Sequence, residues 1–78
     1  MVFERLQEII SEQLGIEKSE ISLNSNIIDD IGADSLDMVE MLMNVEKEWD
    51  IVIDDSEISD IETMQDVVDF VEAKIKQK

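Results

Sequence analysis

The chain has 78 residues, no cysteine and no histidine, and 21 acidic residues against 6 basic ones, for a net charge of −15. That length holds one small domain, and that charge repels phosphate backbones and anionic lipid surfaces, so nucleic acid and membrane give way to protein partners with Lys/Arg patches. The missing cysteine and histidine remove disulfides, thiolate metal sites, thiol nucleophiles and the usual general base.

The N-terminus, MVFERLQEII, lacks the basic-then-apolar order of a signal peptide, and no apolar run reaches the roughly 20 residues of a membrane span. The expectation is a single domain over residues 1–78, soluble, cytoplasmic and monomeric. Its 44% hydrophobic content is periodic, which favours folding over disorder. Phe3, Leu6, Ile10 and Leu14 recur at helical spacing beside Ile9, and Gly15 follows where a left-handed C-terminal cap belongs. Residues 16–34, IEKSEISLNSNIIDDIGAD, have no sustained period yet scatter Ile16, Ile21, Leu23, Ile27, Ile28 and Ile31, which reads as a long loop packed on the core. A second helix is expected from near Ser35 to about Asp50. IVIDD, residues 51–55, is a short β-like run without a partner strand and reads as a connector. SEISDI, residues 56–61, suits a short helical turn. Met64, Val67, Val68, Val71 and Ile75 form the stripe of a last helix, with Thr63 and Asp66 placed as a capping box. The predicted fold class is all-α: a small four-helix bundle of three longer helices and one short, with a long loop between the first two.

At about 100° per residue, Met38, Met41, Leu42, Val45 and Trp49 share one face of the second helix, the ordinary core pattern. Leu36, Val39 and Met43 form a second stripe, flanked by Asp37, Glu40, Glu46 and Lys47. Two readings of it stand open. Either the apolar loop covers it, or it is an exposed apolar strip with an acidic border, suited to a partner with an apolar centre and a basic rim.

Within GADSLD, residues 32–37, Ser35 sits at the start of this helix. An N-cap role fits, but Asp34 can serve equally well, and the residue three beyond Ser35 is Met38, not the acid or amide of a capping box. A nucleophilic role does not fit. No strand precedes the serine, the G-x-S-x-G pattern is absent, and neither histidine nor a nearby lysine can take its proton. DDIGADSLDMVE, residues 29–40, has Asp29 and Glu40 at the first and twelfth positions of an EF-hand loop, but Ile31 and Asp34 replace the third ligand and the required glycine. No metal site is expected, only loose cation binding that relieves self-repulsion, visible as a melting temperature raised by millimolar divalent cation. What remains is a hydroxyl presented for modification by another enzyme's active site, at a helix N-terminus that favours an attached phosphate.

DDIGADSLDMVEMLMNVEKEWD, residues 29–50, closely resembles the modification-site segment of acyl carrier proteins, above all the bacterial type serving separate fatty-acid synthase enzymes. The likeness extends from the opening helix to the closing ISDIETMQDVVDFV. It implies a non-enzymatic carrier whose cofactor, 4'-phosphopantetheine, is attached to Ser35 through a phosphodiester, with Asp34 and Leu36 completing the D-S-L motif. The implied partners are a holo-synthase, which transfers the arm from coenzyme A with magnesium held largely in its own site, and fatty-acid synthesis enzymes with basic patches. Acyl chains are the implied cargo, held on the arm's thiol. The resemblance assigns docking to Leu36, Asp37, Val39, Glu40, Met43 and Glu46, and implies that the core-facing stripe lines an acyl pocket. Ile27 and Trp49 stand where members often have phenylalanine, Asp54 where proline is frequent and Lys47 where an acid is common. Carriers of polyketide, peptidyl or D-alanyl groups are the nearest alternatives, and an acidic interaction domain with Ser35 as a cap is the alternative of a different class.

Overall fold

The computed structural model describes residues 2–77, apart from the side chain of Asp55. Three α-helices carry the fold: α1 (Val2–Leu14), α2 (Ser35–Trp49) and α3 (Met64–Lys76). Single 3-10 turns stand at Lys18–Glu20 and Asp55–Glu57. No strand forms among the described residues, only an isolated bridge between Asn26 and Thr63. The all-helical expectation holds, but no fourth α-helix forms over 56–61. The 3-10 turn ends at Glu57, and bends and turns follow. Ile58 and Ile61 anchor that segment on the core, so packing rather than helical hydrogen bonding fixes it.

Each helix buries most of the core stripe its spacing specifies. Leu6 and Ile10 of α1, Met41, Leu42 and Val45 of α2, and Met64, Val67, Val68 and Val71 of α3 form one apolar core. Met38 and Trp49 pack against it half-buried, while Ile75, in the last turn of α3, remains exposed. Gly15 has φ +71° and ends α1 in the left-handed conformation, which a β-carbon would strain. Asp50, at φ 53°, ends α2 the same way.

The loop between α1 and α2 contributes Ile21, Ile27 and Ala33 to the core, and leaves Leu23 and Ile28 at the surface. Backbone bonds explain how so long a connection holds its shape. Ile27 N–H donates to the Glu62 carbonyl, Met64 N–H to Ser25 and Gln65 N–H to Leu23, tying the loop to the start of α3. From α1, the Gln7 amide donates to the carbonyls of Lys18 and Ile21. The Asn26 side chain turns the chain by accepting from Ile28 and Asp29 N–H. The loop thereby delivers residues 32–35 to one place on the bundle.

Candidate functional site

Gly32, at φ +85°, turns the chain, and Ala33 is buried just after it, so the next residues must leave the core. Asp34 then caps α2. Its backbone is extended, its Oδ1 accepts from Asp37 N–H at 2.9 Å, and Asp37 Oδ2 accepts from Asp34 N–H at 3.2 Å. This is a capping box with aspartate at both positions, and the carboxylates lie where the helix dipole favours negative charge.

Ser35 is consequently the first helical residue rather than the cap. Its side chain is exposed, and its hydroxyl has no hydrogen-bond partner among the described residues. Of the two openings left by the sequence, a cap or a hydroxyl offered outward, the geometry gives the second. From Ser35 on, residues of the would-be calcium loop are helical, a geometry in which they cannot wrap a cation as an EF-hand does. No side chain among the described residues hydrogen-bonds the Ser35 hydroxyl to take its proton. The serine has nothing here to make it a nucleophile by itself.

The second stripe of α2 is exposed. Leu36 is 65% accessible, and Val39 and Met43 are each 51%. The long loop therefore does not cover it. The strip starts one residue beyond Ser35 and follows the helix for two turns. Around it, Asp37 is half-buried and committed to the capping box, whereas Glu40 is exposed with no partner among the described residues. Glu46, on the opposite flank, is half-buried, and its Oε2 accepts from Ile53 N–H at 2.9 Å. One oxygen of this carboxylate thus secures the connector after α2.

Sequence reading missed Gln13. Its Nε2 donates to the Asp37 carbonyl at 2.7 Å and its Oε1 accepts from Asn44 at 3.4 Å, so one side chain of α1 holds two turns of α2. No local pattern could have revealed it, because the contact spans 24 residues. Beneath Gln13 lies a narrow apolar cleft lined by Ile10, Leu14, Ile27, Ile31, Ala33 and Met41, among others. Its free volume is about 10 Å³, at most one water molecule's worth. Only Met41 of the core-facing stripe borders it.

No helix among the described residues is long and apolar enough to cross a membrane. A family described as a phosphopantetheine attachment site matches residues 4–71. An acyl carrier protein of Clostridium acetobutylicum is 46% identical over 99% of this chain and the whole of that protein. One from Trieres chinensis is 47% identical over 92% of this chain and 90% of its own length, and one from Thermotoga maritima is 39% identical over 95% and 91%.

Proposed function

Because the chain belongs to the phosphopantetheine-attachment family, alongside proteins named acyl carrier protein, we propose that Ser35 carries the arm and that the protein hands fatty acyl chains between synthesis enzymes. Family membership brings the covalent 4'-phosphopantetheine. The observation that carries the assignment to Ser35 is the division of labour at the start of α2: Asp34 caps, and the hydroxyl beside it is exposed and uncommitted.

The residues fit the group. The backbone N–H groups of Ser35 and Leu36 have no acceptor among the described residues, so at the positive end of the helix they would be available to donate to a phosphate carried on Ser35 Oγ. For attachment, a partner enzyme's base takes the Ser35 proton. Ser35 Oγ then attacks the β-phosphorus of coenzyme A, and the phosphodiester forms as adenosine 3',5'-bisphosphate leaves. Once bound, the arm supplies a thiol that holds acyl groups as thioesters, the sulfur this chain lacks. The chain's own part is to present and to address, so it is a carrier and not a catalyst.

Leu36, Val39 and Met43 form the apolar centre of the address, with Glu40 and Asp37 as its acidic rim and Glu46 at its far edge. Partners with basic rims, including a holo-synthase and the condensing enzymes of fatty-acid synthesis, complement it. A sheltered acyl chain has to widen the cleft under Gln13, since about 10 Å³ is far too small for it. Met41 at its wall is an adaptable residue for that purpose. The reading places the protein in the cytoplasm, as a monomer with one domain over residues 1–78.

Incubation with coenzyme A and a phosphopantetheinyl transferase, followed by intact mass measurement, tests the proposal. The wild type gains one phosphopantetheinyl group and Ser35→Ala gains none; a gain that survives Ser35→Ala removes Ser35 from the reading. Transfer of malonyl groups onto the holo-protein by a fatty-acid malonyl transferase then separates the fatty-acid role from peptidyl and D-alanyl carriage.

A further inference from the structure

The charge along α2 is divided. Near Ser35, Glu40 is exposed and free of any ion pair among the described residues. Farther along, Glu48 is taken by Arg5, whose Nη2 lies 2.8 Å from its Oε1, and Glu46 holds Ile53 N–H. Glu48 first, then Glu8, raises the Arg5 pKa above its ordinary value through hydrogen bonds to its guanidinium. Lys47, between them, is exposed and pairs with no acid among the described residues. With Glu48 paired to Arg5 and one oxygen of Glu46 held by Ile53 N–H, Lys47 is a positive charge without an ion-pair partner among the described residues, on a strongly negative molecule.

Position makes this charge matter. Lys47 stands seven positions after Glu40, which puts both on the same flank of α2, about 10 Å apart along the axis. Lys47 is also four residues beyond Met43 and so closes the C-terminal end of the apolar strip. Both charges border a groove of about 530 Å³ between α1 and α2, with Glu12 and Asn44 on its walls. Whatever settles on Leu36, Val39 and Met43 meets an anion at one end of this edge and a cation at the other.

We infer that the protein's docking partner carries an Asp or Glu facing Lys47, about 10 Å from the Lys or Arg that faces Glu40. This deepens the carrier reading and rests on it. A uniformly basic partner gains at Glu40 and is repelled at Lys47, so the pair fixes register along the helix and discriminates among partners. Two charges of opposite sign also oppose sliding of the apolar strip by a turn.

The test uses the full chain and the phosphopantetheinyl transferase of the same organism, with the modification of Ser35 as readout. Lys47→Glu is expected to raise KM by about three- to tenfold, and Lys47→Met by less, as loss of an ion pair at an interface rim followed by repulsion. Circular dichroism confirms that both variants fold. Carbodiimide, which condenses an amine and a carboxylate into an amide with loss of water to the reagent, is expected to join Lys47 to a transferase carboxylate. An unchanged or lowered KM for Lys47→Glu, or cross-links from Glu40 with none from Lys47, overturns the inference while the carrier reading stands. Failure of the wild type to be modified at all overturns the carrier reading itself.

Discussion

Asp34 caps α2 while the neighbouring Ser35 hydroxyl is uncommitted, and the difference can be measured. Replacing Asp34 by alanine removes the side-chain acceptor for Asp37 N–H and is expected to lower stability by about 1 kcal/mol in chemical denaturation. Ser35→Ala, which breaks no bond among the described residues, is expected to leave stability within about 0.5 kcal/mol of the wild type. Equal losses would return the capping role to Ser35. A second carboxylate shows the same use of charge at a helix start. Asp66 accepts from Glu62 and Thr63 N–H at 3.0 and 3.1 Å, and these backbone donors hold its pKa below the ordinary 3.8. The folded state binds this proton less readily than the unfolded chain, so the stabilisation is complete above the unfolded value and is lost as pH falls through the folded one. Arg5 and then Lys18 lower the Glu8 pKa, and Lys74 and the Asp54 N–H lower that of Glu57, both from 4.5. Melting temperature is expected to drop in this acid range, and Asp66→Asn to drop less steeply; an unchanged slope would show that Asp66 is not coupled to folding.

At the scale of elements, local signals and long-range ones fared differently. Gly15, the Thr63–Asp66 box and the apolar stripes were legible because each depends on residues within a turn or two of one another. The exposure of Leu36, Val39 and Met43 was not legible from the pattern alone. The same stripe could have been covered by the loop, and the decision lies in where Ile21, Ile27 and Ala33 pack. The short segment after residue 55 carried helix-compatible residues, yet Ile58 and Ile61 are spent on the core and the turn does not propagate. Gln13 and the engagement of Glu46 with Ile53 were hidden for the same reason, that hydrogen bonds between distant elements leave no spacing to read. Gln13→Ala is expected to cost about 1 kcal/mol and to speed amide exchange in α2; unaltered exchange would mean that the core alone holds the helix in place. Gly32→Ala forces a β-carbon into a left-handed turn and is expected to cost about 1 kcal/mol. No atom crowds the position, so the loss measures backbone strain.

For the molecule as a whole, a net charge of −15 on so small a bundle is a standing repulsion, offset by burial and by the acidic caps. Added sodium chloride screens it over a Debye length of about 10 Å at 0.1 M, so melting temperature is expected to climb between low salt and about 0.5 M. A flat or falling trend would show that the ion pairs of Arg5, Lys18 and Lys74 outweigh the repulsion. On the proposed function, the same salt is expected to slow modification of Ser35, since the proposed docking onto Glu40 is electrostatic. Stability and function thus move in opposite directions with ionic strength.

The uncommitted hydroxyl of Ser35 has a consequence for how damage to this protein is noticed. Cellular proteases sample unfolded chains, and a substitution that leaves the folded population intact gives them nothing extra to cut. If Ser35 carries the arm as proposed, a chain that has lost it would therefore keep its abundance and its docking face while bringing no cargo. Such a copy would then occupy the proposed partner enzymes as a decoy, a dominant defect that folding surveillance does not remove.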